Sequence, residues 1–158
     1  MTWRAVSPEQ AIRWIQYWID QNWPLTPEKV SAAMAGIGWA RGDDGRWRLD
    51  IPLEKQHLSA TGKSLEHGLN TISWHLTDVE LEESVSRDLF VNDSYSGYVK
   101  AATELYGKAR NIRTKKAKTA RWDLPNGCRL ELDNSRSFVG VYIYSPNYAQ
   151  VLRKSERR

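Results

Sequence analysis

Apolar positions begin to recur at helical spacing just after Ser7. Ala11, Ile12, Ile15, Trp18 and Ile19 share one face, Trp14 widens it, and Asn22 closes the periodic stretch. The start is equally clear, because Ser7-Pro8-Glu9-Gln10 supplies a cap, a proline in the first helical position and a glutamine three residues past the cap. Trp23 precedes Pro24 and so is pushed out of helical geometry, which predicts an end near Asn22. Thr26-Pro27-Glu28 opens a second, shorter helix by the same logic. Its buried side is Val30, Ala33 and Met34, and Gly36 is expected to end it.

From Ile37 onward the period changes to alternation. Trp39 and Ala40 lead into the turn-rich Arg41-Gly42-Asp43-Asp44-Gly45. Trp47, Leu49 and Ile51 then alternate with Arg46, Arg48 and Asp50, a hairpin with one dry face. Residues 52–68 have little period and read as a long loop. A third strand is expected over Asn70–Leu76, with Ile72, Trp74 and Leu76 pointing one way.

Val79, Val85 and Leu89 are only loosely periodic, so 78–90 carries at most a short helical segment. Asp93 or Ser94 is expected to cap a clearer helix, with Tyr95, Tyr98, Val99, Ala102, Leu105 and Tyr106 inward and Gly107 at its end. Residues 108–121 then read as a loop. Strands at Ala120–Leu124 and Cys128–Leu132 flank Pro125-Asn126-Gly127, where an Asn-Gly pair tolerates positive φ. After a turn at Asp133-Asn134-Ser135-Arg136, Phe138–Tyr144 is the last strand, with Val139, Val141 and Ile143 on one face. Ser145-Pro146 starts a final helix running to about Lys154.

The predicted order is α-α-β-β-β-α-β-β-β-α. Strands gathered in hairpin-linked runs predict a single α+β domain over 1–158, with an antiparallel sheet of about five to six strands and helices packed on one side.

Composition sharpens the picture in two respects. The single cysteine, Cys128, excludes an internal disulfide, and neither a signal-like run nor a membrane-length apolar stretch is present, so a cytoplasmic address and no membrane contact are expected. The net charge of +4 is unevenly spread: Lys108, Arg110, Arg113, Lys115, Lys116, Lys118 and Arg121 contain no acid among them and leave the rest of the chain net negative. An opposite pole runs from Asp78 to Asp93.

The residue types of catalytic and metal sites are present only at unfavourable spacings. His57, His67 and His75 lack the short spacings of a zinc site, and Cys128 is distant from all three. Cys128 falls in an apolar alternation, where cysteine behaves as a small core residue. The glycines around Gly36-Ile37-Gly38 follow a helix, whereas a phosphate loop follows a strand. Asp43-Asp44 and Glu82-Glu83 read as turn and surface carboxylates. No catalytic, metal or cofactor site is expected, and the chain reads as non-enzymatic. The contact residues expected are instead the seven cations of 108–121 together with Tyr142 and Tyr144, which lie on the strand phase opposite Val141 and Ile143. Such a basic segment suits an acidic protein surface or a nucleic-acid backbone. With no aromatic side chain inside it for base stacking, nucleic acid ranks below a protein partner.

The opening helix with its tryptophans, Gly36-Ile37-Gly38-Trp39, Arg121-Trp122-Asp123-Leu124-Pro125-Asn126-Gly127 and Ser145-Pro146-Asn147-Tyr148-Ala149 together resemble an uncharacterised actinobacterial domain family. Members of that family occur near type VII secretion and polymorphic toxin genes. The resemblance implies an immunity protein that binds and neutralises a cognate secreted toxin, and it brings no catalytic residues. The element order is also similar to that of type III secretion chaperones, which implies a chaperone or accessory protein for a secreted client as an alternative. A nucleic-acid-binding module using the basic loop 108–121 is the second alternative.

Overall fold

The computed structural model describes residues 3–41, 43, 47–49, 51–53, 58–61 and 68–157, with backbone only for Trp47 and for 58–61. The chain runs α1 (Pro8–Ile19), α2 (Pro27–Gly36), β1 (Ala40–Arg41), β2 (Trp47–Arg48), β3 (Leu58–Thr61), β4 (Thr71–His75), α3 (Val85–Tyr106), β5 (Arg110–Arg113), β6 (Lys118–Asp123), β7 (Arg129–Asn134), β8 (Val139–Tyr144) and α4 (Pro146–Glu156). The fold is α+β. Its main sheet has six antiparallel strands in the order β3-β4-β8-β7-β6-β5, and β1 and β2 pair separately. The sequence of helices and strand runs is the predicted one. Each run holds one strand more than the pattern revealed: β3 lies in the supposed 52–68 loop, and β5 lies in the supposed basic loop.

Local chemistry sets the helix starts. The side chains of Ser7, Thr26, Ser84 and Ser145 each accept from a backbone N–H three residues on, and in α1, α2 and α4 a proline occupies the first turn. α1 ends at Ile19, a turn earlier than Trp23-Pro24 suggested. Helix α3 is one continuous helix of 22 residues, so Asp93 and Ser94 lie inside it and cap nothing. Ser84 escapes detection because its third successor is Arg87, where a capping box has Glu or Gln. Arg87 is nonetheless buried, and its Nη1 donates to the carbonyls of Glu80 and Leu81 at 3.4 and 3.3 Å. The connector before the helix is thereby tied to its first turn. The early turns of α3 turn apolar side chains outward: Val85 is 77% and Leu89 58% exposed, which explains the weak period. Leu105, expected inward, is 53% exposed.

One sheet face carries the core. Ile72 and Trp74 from β4, Val139, Val141 and Ile143 from β8, Leu130 and Leu132 from β7, and Ala120 and Trp122 from β6 are all buried, and all but Val139, which faces Asn134, pair with one another across the strands. α1 and α3 cover this face. Trp39 stands at the centre of an aromatic cluster, with ring centroids 5.9 Å from Trp14, 5.9 Å from Trp18 and 5.4 Å from Trp74. Such tilted and edge-on contacts favour aromatic pairs beyond the area they bury. Trp14, Trp18, Trp39, Trp74 and Trp122 are all buried in this core. Tyr98 fastens α3 to the amino-terminal segment, its hydroxyl lying 2.6 Å from the Val6 carbonyl and 2.9 Å from that of Leu76.

α4 departs from the expected one-sided arrangement. Its Glu156 and Arg153 bond to Arg121, Arg129 and Asp123, which alternate with the core residues and therefore face the other way. The sheet thus has an inner face under α1 and α3, and an outer face that α4 partly covers.

Candidate functional site

Strand alternation generates the outer face. Arg110, Arg121, Glu131, Tyr142 and Ser73 are successive Cα partners from β5 to β4, and Asp123, Arg129, Tyr144 and Thr71 form the next row. The placement of Tyr142 and Tyr144 opposite buried Val141 and Ile143 follows from this period of two. Both tyrosines are partly exposed.

The charged groups of this face are mostly engaged with one another. Nε of Arg121 donates to Glu131 Oε2 at 2.6 Å, and its Nη1 donates to Glu156 Oε1 at 3.1 Å. The Tyr144 hydroxyl donates to Glu131 Oε1 at 3.1 Å, so both carboxylate oxygens of Glu131 are occupied. Arg129 donates to Asp123 Oδ1 at 3.0 Å and to the two oxygens of Glu156 at 2.7 and 3.2 Å. Arg153 adds a bond to Asp123 Oδ1 at 2.9 Å. Burial would raise the Asp123 carboxyl, but hydrogen bonds from Arg129 and Arg153 outweigh it and hold that group below its ordinary value. The Arg129 hydrogen bond likewise lowers Glu156. Asp133 is raised by burial and by neighbouring Glu131, against a Thr119 hydrogen bond. Burial and then Glu131 raise the Tyr144 hydroxyl, so it stays a neutral donor.

Beside these charges lies an aromatic belt. The Tyr142 and Tyr144 rings are nearly parallel with centroids 6.5 Å apart, and Tyr148 of α4 adds a third ring at 5.9 Å from Tyr144. At the other end, Phe138 lies 4.1 Å from the His75 ring. Gly140 makes the belt possible: a Cβ there would come within 3.2 Å of Phe138 Cε2 and 3.6 Å of Tyr142 Cε2. His75, Phe138 and Tyr148 were not foreseen as part of this surface. Phe138 and Gly140 do share the phase of Tyr142 and Tyr144, a signal present in the sequence, whereas His75 enters only through the pairing of β4 with β8.

The seven cations do not form one basic loop. The β5–β6 hairpin distributes them, which corrects that expectation. Arg110 and Arg121 face outward with the tyrosines; Arg113 and Lys118 occupy the opposite phase; Lys115 and Lys116 stand at the turn; Lys108 precedes β5. The turn is organised by Thr114, whose Oγ1 accepts from the N–H groups of Lys116 and Ala117 and whose own N–H donates to the Ala117 carbonyl. A pleated hairpin sends alternate side chains to opposite faces, so a run that is continuous in sequence is divided in space.

Other candidates are placed as follows. Cys128 is buried, and burial pushes its thiol up to about 11, which disfavours the thiolate needed for nucleophilic attack. Asp43, Glu82 and Glu83 are exposed. His57, His67 and Asp44 lie outside the described residues. Among the described residues no group of three or more His, Cys, Asp or Glu could hold a metal ion, and no helix is long and apolar enough to cross a membrane.

Fold and surface together define an antiparallel α+β domain with one packed face and one aromatic, ion-paired face. Residues 9–145 match the model described as Family of unknown function (DUF6301), and the chain belongs to that family. No curated protein and no solved structure matches it.

Proposed function

We propose that this chain is a non-catalytic protein-binding domain, and that it acts as an immunity protein which binds and neutralises a cognate secreted toxin. The observation that carries the binding reading is the outer face around Tyr142 and Tyr144. Its rings are held against one another by stacking, by Gly140 and by the Tyr144–Glu131 bond. Aromatic side chains already fixed in place lose little entropy on binding and often dominate interface energy. Arg110 ends the same outer row on the edge strand β5, and the exposed Lys115 and Lys116 extend the positive field toward an acidic partner surface. The immunity reading rests on the resemblance to domains found near toxin genes. It requires only a preformed complementary surface. The test is to co-express the chain with the product of the adjacent gene, expecting rescue from toxicity and a stable complex. Neither rescue nor complex would sink the reading.

A second reading, a chaperone for a secreted client, is favoured by the exposed apolar side chains Leu81, Val85 and Leu89, which are 77%, 77% and 58% exposed. The same co-expression separates the two. A chaperone stabilises a secreted neighbour that is harmless when expressed alone.

A further inference from the structure

Two like-charged pairs face each other across the β5–β6 hairpin, and they are compensated differently. Arg110 and Arg121 are Cα partners on the outer face, where Glu131 and Glu156 bond to Arg121. Arg113 and Lys118 are Cα partners of the opposite phase, in the row that continues to Asn134 and Val139. Like charges directly opposite on antiparallel strands destabilise the pairing unless negative charge lies close by.

Arg113 and Lys118 line a cleft of about 420 Å3 between the hairpin and the amino-terminal half of α3, and Lys115 and Arg136 line it too. Four cations therefore converge on one cleft. The one carboxylate among the described lining residues is Asp88, whose Oδ1 already accepts from Nε and Nη2 of Arg87 at 3.2 and 3.1 Å. Arg136 is held there by its backbone: its φ of 78° lies in the left-handed region, and its N–H donates to Asn134 Oδ1 at 3.0 Å. Asn134 in turn donates to Asn92 Oδ1 at 2.8 Å, which fixes the amide group at the floor of the cleft. A residue other than glycine or asparagine in that backbone region is uncommon and points to a constraint kept for some purpose.

We propose that this cleft binds a phosphate-bearing small molecule, its cations neutralising a dianionic or more highly charged group. A single carboxylate would leave most of the positive charge uncompensated. Guanidinium forks and ammonium groups together match the oxygens of a phosphate or diphosphate, and the cleft volume falls in the range of small-molecule sites. The site lies on the phase opposite Tyr142 and Tyr144 and shares only Lys115, at the hairpin turn, with the proposed partner surface; pyrophosphate binding needs no partner, so its test is independent of that reading.

The test is calorimetric titration of the full chain with inorganic pyrophosphate at low and at physiological salt. Saturable one-to-one binding is expected, weaker at higher salt. Lys118→Gln and Arg113→Gln should each weaken it by about tenfold or more, whereas Lys29→Gln on the exposed side of α2 should not alter it. Without ligand, Lys118→Gln should be at least as resistant to unfolding as the wild type, because it relieves the repulsion with Arg113. A purely structural lysine would give the opposite result. The proposal is overturned by absent binding at millimolar pyrophosphate, by equal affinity in the variants, or by capture of a single-stranded oligonucleotide with no response to pyrophosphate.

Discussion

Arg129 of β7 and Glu156 of α4 form a two-pronged ion pair, 2.7 and 3.2 Å long, that straps the last helix across the outer face of the sheet. The arginine side chain is only 1% exposed and the glutamate 37%, so the two ends of the pair stand in different surroundings. Arg129→Ala should cost about 2–3 kcal/mol through lost stem packing and broken hydrogen bonds. Glu156→Gln should cost roughly 1 kcal/mol or less, since the amide still accepts and Asp123 still faces Arg129. Urea denaturation of both variants checks the ranking. Equal losses would show that α4 is held by something other than this pair.

The same network sets the acid response. Glu156 and Asp123 have folded values below their ordinary ones, so their pairing stabilises the fold fully above the usual carboxylate range. That contribution is lost as pH falls through the depressed values. Asp133 is raised and has the opposite sign, regaining a little stability when it protonates. Stability followed by denaturation should therefore rise slightly as pH falls toward the ordinary carboxylate range, where Asp133 protonates, and fall below that range as Glu156 and Asp123 protonate. The acid limb should be shallower in Glu156→Gln.

Tyr98 tests the inner face. Its hydroxyl is buried between the Val6 and Leu76 carbonyls, and Tyr98→Phe would remove the donor without changing the packing volume. A loss of about 1–2 kcal/mol is expected on thermal or chemical unfolding. A neutral substitution would mean that these carbonyls find other donors.

Charge at the hairpin turn should affect partner binding and leave the fold unchanged. Lys115 and Lys116 are exposed and their side chains have no ion pair among the described residues. The double variant Lys115→Glu, Lys116→Glu should slow association with an acidic partner, with the deficit shrinking as salt is added. Tyr142→Ala should act instead on dissociation, with little dependence on salt. Surface plasmon resonance separates the two effects. Affinity unchanged in both would move the interface elsewhere.

Cys128 offers a probe of global opening. The thiol is buried and raised to about 11, so a thiol reagent at neutral pH should react only when the strand opens. Labelling should be slow in buffer and fast in denaturant. Immediate labelling of the native chain would contradict the burial of Cys128.

Much of this molecule is legible in its sequence because the signals concerned are local. Ser7-Pro8, Thr26-Pro27 and Ser145-Pro146 mark helix starts through bonds that span three residues, and the alternation through Val139, Val141 and Ile143 states which strand phase is dry. That alternation also put Tyr142 and Tyr144 on the outer face. What the sequence left open depends on partners far along the chain. Strand β3 and strand β5 have weak patterns of their own and exist through pairing with β4 and β6. α3 begins after Ser84, whose hydroxyl caps the Arg87 N–H while the Arg87 side chain reaches back into the connector, an arrangement that no capping box announces. The direction of α4 is set by Glu156 meeting Arg121 and Arg129, whose shared face is decided by register. The same register divides a run of seven cations into an outward pair, a pair of the opposite phase beside α3 and a pair at the turn, with Lys108 ahead of β5. Local periodicity thus determined the elements and their dry sides. Cross-strand pairing, acting between residues distant in sequence, decided which charges stand together.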